Sequence, residues 1–253
     1  MRPLADALVV LICVFASGLL GMSLRGLLPE RHLAEDSMGM VRLCTGVLAT
    51  LTALVLGLLV ASAKANYDRV SDDVVKGAVS ILLLDRTLAQ YGEQTHEART
   101  ELRAAVSSMV DRVFGARNRG TVTIDSAEGL ARSQRLEAEL RNLTPQNDVQ
   151  RSLQARALDI SNDIAQTRLL VINQAQGSLP GVFLLVLVLW LVIMFAGFGL
   201  VTAKNPTAIV TLALCALSLA GAVLMTEELN EPLTGLMQVS GAPMRYALAH
   251  LGG

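Results

Sequence analysis

The chain has 253 residues, of which 52% are hydrophobic and 17% charged, and its formal net charge is -1. Soluble domains average about a quarter charged residues, so this composition favours a membrane protein. The near-neutral charge offers no basic face for a polyanion, and we therefore expect no nucleic-acid partner.

Four apolar runs divide the chain, two before and two after a long polar stretch. They comprise Leu4–Met22, Met40–Ala63, Leu179–Val201 and Pro206–Met225. A hydrocarbon layer about 30 Å thick requires ~20 apolar helical residues, and each run is near that length. The sequence therefore predicts an all-α membrane protein, with four transmembrane helices and a helical-bundle insert between the second and the third.

These runs set the predicted domain boundaries. Transmembrane helices 1 and 2 occupy residues 1–63, the insert 64–178, transmembrane helices 3 and 4 residues 179–226, and a short C-terminal segment 227–253. The first run follows Arg2, as a signal peptide would, but it is long for one and contains Asp6. We therefore expect it to be retained as a span.

The distribution of lysine and arginine near the span ends predicts the orientation. One side receives Arg2, Lys64, Arg69, Lys76, Arg168 and Arg245, and the other receives Arg25, Arg31, Arg42 and Lys204. This modest bias predicts that both termini and the insert are cytoplasmic.

The insert carries fifteen basic and fifteen acidic residues, and its apolar residues recur at helical spacing. No breaker follows Lys64, which predicts that the second span continues as one helix to Tyr91-Gly92. Its predicted buried stripe is Val70, Val74, Ala78, Ile81, Leu84 and Leu88. Helices of this kind must bury their stripes against one another, so we expect a small antiparallel bundle.

Three further helices complete the predicted insert. The second spans about Thr95–Phe114, a loop follows at Gly115–Thr123, and the third spans about Ser126–Asn142. Thr144 is the predicted N-cap of the fourth, with Pro145 at its first position and an end at Gln176. Its predicted apolar face is Val149, Leu153, Ala157, Ile160, Ile164, Thr167 and Val171.

Hydroxyl and small side chains lie within the spans. Thr45, Ala49 and Thr52 follow one side of the second span, with Leu56 and Leu59 farther along, and Ala49, Ala53, Gly57 and Ala61 recur every four residues. The first set is a candidate pore lining, closed by dewetting at a leucine ring. The small residues predict close helix packing. Thr207, Thr211 and Ser218 in the fourth span are an alternative polar face, and all these hydroxyls could instead bond within their own helices.

No catalytic site, cofactor or metal site is predicted. No charged residue or histidine lies deep within a span, which weighs against an ion-coupled carrier. The cysteines Cys13, Cys44 and Cys215 lie in apolar runs without metal spacing. Glu227, Glu228 and Glu231 form an acidic cluster after the fourth span, which we expect to be a solvated helix end.

Three blocks of residues carry a resemblance to a known family. They are Leu28 to Ser37 leading into Gly46 to Leu59, then Ala63 to Asp68 with Leu84-Asp85-Arg86 and Tyr91-Gly92, and finally Leu229 to Gly235 with Val239-Ser240 and Pro243. This order resembles the bacterial bestrophin-like membrane proteins of unknown function. The resemblance implies four spans with a helical insert, and kinship with bestrophins, which are oligomeric anion channels.

Two classes of function fit these patterns. The first is an oligomeric channel of the bacterial inner membrane, embedded in lipid and passing ions, possibly chloride, with a shared pore gated through helices continuous with the bundle. The second is a non-conducting scaffold or signalling protein whose bundle binds a cytoplasmic partner. A stator or energy-transducer subunit has a similar topology. Such subunits rely on partner subunits that supply a carboxylate within the membrane, and nothing in the chain indicates a need for one.

Overall fold

The computed structural model describes residues 2–29, 33–115, 127–175 and 181–252, and within them the chain is helical with no strand. The helices are α1 (Arg2–Arg25), α2 (Glu35–Tyr91), α3 (His96–Phe114), α4 (Ala127–Asn142), α5 (Asp148–Ala175), α6 (Gly181–Val201), α7 (Pro206–Asn230) and α8 (Ala242–His250). α1, α2, α6 and α7 are long and apolar enough to cross a membrane. The predicted all-α class with four spans is confirmed.

The chain forms two compact units, and α2 contributes to both. The membrane unit comprises residues 1–65 and 178–230, and the bundle unit comprises residues 66–177 and 231–253. In the membrane unit, apolar side chains of α1, α6 and α7 form the core. Its most buried members include Val14, Leu187, Leu191, Phe195 and Ala216.

α1 and α6 approach each other so closely that their backbones touch. A Cβ atom on Gly21 would stand 2.2 Å from the Ala196 carbonyl oxygen, and one on Gly199 would stand 2.0 Å from that of Gly18. Real Cβ atoms do not come that close, so glycine is required at both crossing positions. Small residues serve membrane helices in this way because packing, rather than exclusion of water, drives their association.

In the bundle unit, α2 provides the central stripe. All six residues of the predicted stripe, from Val70 to Leu88, are at most 4% exposed. They pack with α3 through Ala98, Leu102, Val106 and Val110, and with residues of α4, α5 and α8. α2 ends where Gly92 adopts a φ of 120°, a left-handed conformation that favours glycine. The predicted continuation of the second span to this point is confirmed.

The predicted start of the fourth helix is wrong. α5 begins at Asp148 rather than after Thr144, and Asn147 supplies the cap, because its Oδ1 accepts the N–H of Gln150 at 2.8 Å. The Gln150 side chain in turn accepts the N–H of Gln146 at 2.7 Å. With its start displaced, α5 leaves Val149 69% exposed rather than on the buried face. The predicted loop after Gly115 lies outside the described residues.

The C-terminal residues contain a helix that the sequence did not predict. α8 is nine residues long, and its Met244 and Ala247 are buried in the core of the bundle unit with Leu233, Val239 and Leu251. Arg103 on α3 donates to the Leu251 carbonyl oxygen at 2.8 Å, and the Gly252 N–H donates to Asp85 at 3.3 Å. These contacts attach residues 231–252 to α2 and α3.

Candidate functional site

A groove of about 1200 Å³ lies between α2, α6 and α7 in the membrane unit. α2 contributes Ala49, Thr52 and Leu56 to its lining, and α7 contributes Thr207, Thr211 and Ser218. The fold therefore brings the two predicted polar faces, which were alternatives in the sequence, to one place.

The predicted pore-lining face of α2 turns toward the inside of its own subunit. Thr45 is 8% exposed and Thr52 is 3% exposed. Ala49, Leu56 and Leu59 are half-buried and pack against the core of the membrane unit. A residue that lines a pore shared between copies must be accessible on the surface of each copy. The role of these five residues as a pore lining stays a prediction, but the burial of the threonines gives it no support.

The groove hydroxyls form hydrogen bonds within their own helices. Thr52 donates to the Leu48 carbonyl oxygen at 2.7 Å, and Thr211 and Ser218 make equivalent bonds at 2.9 Å. Each bond reaches the carbonyl four residues earlier, which satisfies a hydroxyl in an apolar setting. A hydroxyl has only one hydrogen to donate, so these oxygens present acceptor lone pairs to the groove. Acceptors of this kind do not coordinate an anion.

The face of α2 opposite Thr45 is open. Val47, Leu54 and Leu58 are each about 60% exposed, and Leu51 is 44% exposed. Only 11% of the apolar segment of α2 is buried within the subunit, compared with 39% for α1. α2 is therefore the span that its own subunit buries least.

Three of the four residues of the predicted packing stripe lie on the exposed part of α2, whereas Ala49 packs against the core of the membrane unit. Ala53, Gly57 and Ala61 are exposed, and a Cβ atom on Gly57 would meet nothing within 4 Å. Within the described part of the subunit, helix backbones touch instead at the crossing of α1 and α6. Sequence reasoning missed that crossing, although Gly18 and Gly21, three residues apart in an apolar run, were a usable signal.

Arg25 closes one end of the membrane unit. Its Nη1 donates to the carbonyl oxygens of Leu200, at 3.2 Å, and Val201. These carbonyls end α6 and lack partners within the helix, so a cation there satisfies them and complements the helix dipole. In the sequence analysis, Arg25 is only one of the basic residues near the span ends that predict the orientation.

The acidic cluster is not the solvated helix end that the sequence predicted. α7 continues to Asn230, and Thr226, Glu228 and Leu229 are buried in its last turns, with Glu228 only 5% exposed. Glu231 accepts a hydrogen bond from Thr234 at 3.3 Å. No group of three potential metal ligands occurs in the described parts of the chain.

Comparisons with known proteins agree with this architecture. The family model of the bestrophin-like domain matches residues 11–244. The fold is similar to the crystal structure of a mutant bacterial bestrophin homologue from Klebsiella pneumoniae, with a TM-score of 0.65 and 14% sequence identity over 99% of this chain and 98% of that chain. No curated protein matches the sequence. The family model covers most of the chain and four helices are long enough to span a bilayer; this multi-pass membrane protein therefore belongs to the bestrophin-like family.

Proposed function

We propose that the protein is the subunit of an oligomeric ion channel in the bacterial inner membrane, and that it conducts anions such as chloride. The observation that carries the proposal is the open face of α2, which is the least buried span in a chain of bestrophin-like fold. Four spans rarely enclose a water-filled path alone, so the path would run between copies, as symmetric oligomers commonly allow.

The exposed stripe of Val47, Leu51, Leu54 and Leu58 is the proposed lining of that path. These residues are spaced by three or four, so they share one side of the helix. An apolar constriction conducts when it is wet and closes when it dries. Thr45 and Thr52, on the other side, would hold α2 against its own subunit.

Gating is proposed to pass through α2 itself. The helix has 57 residues and no break, so it is about 85 Å long at 1.5 Å per residue. That is well beyond the ~30 Å of hydrocarbon, and its remaining length forms the centre of the bundle unit. A change in bundle packing would then act on the lining without an intervening linker.

Cysteine accessibility tests which face lines the path. In a background with Cys13, Cys44 and Cys215 replaced by alanine, Leu54→Cys and Leu58→Cys are expected to lose conductance when a membrane-impermeant, charged thiol reagent is added. Thr45→Cys and Thr52→Cys are the matched controls on the same helix and are expected to be unaffected. Block confined to the threonine positions would refute the assignment of the lining.

A further inference from the structure

The groove between α2, α6 and α7 is long enough to hold an acyl chain. α7 lines it from Thr207 to Ala222, which is a rise of about 22 Å at 1.5 Å per residue. One leaflet of a bilayer provides about 15 Å of hydrocarbon, half of the full thickness. The volume of about 1200 Å³ also exceeds the roughly 300–1,000 Å³ of sites for drug-sized ligands. The groove therefore has the dimensions of a lipid site.

Small side chains on α2 make the groove wide. Ala49, Ala53 and Gly57 line it, and all three belong to the predicted packing stripe. Such stripes commonly bring a neighbouring helix into close contact. Here, however, a Cβ atom on Gly57 would meet no atom within 4 Å. The described part of the subunit thus leaves the space beside this stripe open to an occupant.

The length of the groove beyond the turn between α6 and α7 offers no free hydrogen-bond donor. The hydroxyl hydrogens of Thr52, Thr211 and Ser218 are all donated to carbonyl oxygens of their own helices. No charged side chain is among the described residues that line the groove. A donor that faces hydrocarbon without a partner costs free energy, and this surface avoids that cost. A methylene chain can therefore lie along the groove and leave no donor unpaired.

The end of the groove at the turn between α6 and α7 is polar. Thr202, Asn205 and Thr207 line it there. The Asn205 Oδ1 accepts the N–H of Ala208 at 2.7 Å, which fixes the amide and leaves its two N–H donors for another acceptor. Lys204, in the same turn, is exposed and has no acidic partner among the described residues. This end is thus complementary in charge to an anionic group such as a phosphate.

We propose that the groove binds one anionic phospholipid per subunit, with an acyl chain along α7 and the phosphate at Lys204 and Asn205. A zwitterionic lipid has the same chains but no net charge to attract Lys204, and one lysine gives a preference of about fivefold. An apolar helix from a second copy of the chain would leave Lys204 and Asn205 without an acceptor. The site is separate from the proposed path for ions and does not require that the protein conduct.

Native mass spectrometry of the full-length protein in detergent tests the proposal. The protein is titrated with phosphatidylglycerol or with phosphatidylcholine of the same acyl chains. Binding is expected to saturate at one phosphatidylglycerol per subunit, with an affinity about fivefold higher than for phosphatidylcholine. Binding that does not saturate, equal affinity for the two lipids, or no retained lipid would each overturn the proposal.

Two matched glycine variants locate the acyl chain. Gly57→Phe places a large side chain in the groove and is expected to abolish retention of phosphatidylglycerol. Gly221→Phe on α7 is the control, because Gly221 is equally open but does not line the groove, and it should bind as the wild type does. Undiminished binding in Gly57→Phe would place the lipid elsewhere. If Gly57→Phe instead releases subunits that still retain the lipid, a second copy of the chain occupies the groove and the proposal is wrong.

Two further variants locate the phosphate. Lys204→Gln is expected to remove the fivefold preference for phosphatidylglycerol while the binding of phosphatidylcholine stays unchanged. Asn205→Asp keeps an acceptor for the Ala208 N–H but replaces the amide donors with a negative charge, so it should weaken phosphatidylglycerol binding more than phosphatidylcholine binding. Arg42→Gln is the control, because Arg42 is an exposed cation of α2 that does not line the groove. An equal loss of preference in Lys204→Gln and Arg42→Gln would contradict the assignment.

Discussion

Thr45 on α2 lies directly against Gly197 on α6, and a Cβ atom at position 197 would stand 2.5 Å from the Thr45 hydroxyl oxygen. The contact requires glycine, because the neighbour is the stiff, β-branched side chain of a buried residue. Gly197→Ala is therefore expected to lower the free energy of unfolding by about 1–3 kcal/mol, the usual cost of overpacking. Unfolding in detergent, titrated with a denaturing surfactant, measures it.

Two further variants serve as controls for Gly197→Ala. One adds a second substitution at the contact, and the other replaces a glycine that has no neighbouring atoms. Thr45→Ala combined with Gly197→Ala should recover part of the lost stability, because it removes the clashing atoms. Gly221→Ala on α7 should cost nothing, since a Cβ there meets no atom within 4 Å. Equal effects of both glycine substitutions would show that Thr45 does not restrict position 197.

The ion pair of Asp85 and Arg99 is the second stability test. The Arg99 Nε donates to Asp85 Oδ1 at 2.8 Å and its Nη2 to Oδ2 at 3.1 Å, and Asp85 is only 4% exposed. This hydrogen bonding raises the pKa of the Arg99 guanidinium. Arg99→Met leaves a buried carboxylate without its main partner, so we expect a loss of about 3 kcal/mol in unfolding free energy.

An exposed pair in the same unit serves as the control for Arg99. Arg151 Nη1 lies 2.6 Å from Asp148 Oδ1, but the two side chains are 69% and 94% exposed. Arg151→Met is expected to change the unfolding free energy by less than about 1 kcal/mol, because solvent screens such pairs. If Arg99→Met and Arg151→Met lower the unfolding free energy by similar amounts, burial does not make the pair of Asp85 and Arg99 the stronger one.

Glu139 should make the bundle unit less stable as pH rises. Burial raises the pKa of its carboxyl group above the ordinary value, and the charges of Glu97 and Glu101 raise it further. The folded state therefore holds this proton to higher pH than the unfolded state, and stability falls as pH rises through the raised pKa. Glu139→Gln is expected to be more stable than the wild type at neutral pH and to match it in acid.

The pH dependence of the unfolding free energy distinguishes the titration of Glu139 from a general effect of the protein's charge. Unfolding free energies measured between about pH 4 and pH 8 should show a smaller decline in Glu139→Gln. Glu97→Gln should reduce the decline in part, because Glu97 contributes to the raised pKa of Glu139. If the decline in unfolding free energy is unchanged in both variants, Glu139 is not the cause of the pH dependence.

The start of α5 can be checked at its cap. Asn147→Ala removes the acceptor of the Gln150 N–H and is expected to cost about 1 kcal/mol of unfolding free energy. Thr144→Ala is the control, because Thr144 lies before the helix start. A larger loss at Thr144 than at Asn147 would return the cap to the position that the sequence predicted.

The sequence predicts the parts of this fold in which local pattern and tertiary packing agree. From Val70 to Leu88 the apolar residues repeat with the helical period, and Gly92 ends the helix, so both the length of α2 and its buried stripe were predicted. The cap of α5 failed because Thr144-Pro145 and Asn147 both offer cap chemistry, and the choice between them depends on packing.

The orientation of the spans could not be predicted in the same way. Large apolar residues occur on every side of the first part of α2, so the hydrophobic pattern does not indicate which side meets α6. Thr45 and Thr52 are both buried within the subunit. Burying the Thr52 hydroxyl costs little because it donates to its own helix. The burial of Glu228 in α7 could not be predicted from the sequence either, because it depends on long-range packing.

Chloride efflux from liposomes reconstituted with the purified protein, with valinomycin present to dissipate the membrane potential, tests whether the protein is an anion channel. If the protein is a channel subunit with its path along the open face of α2, efflux should exceed that from empty liposomes and increase with the amount of folded protein. Efflux equal to that of empty liposomes across several pH and calcium conditions, with the protein folded and inserted, would contradict the proposed channel function.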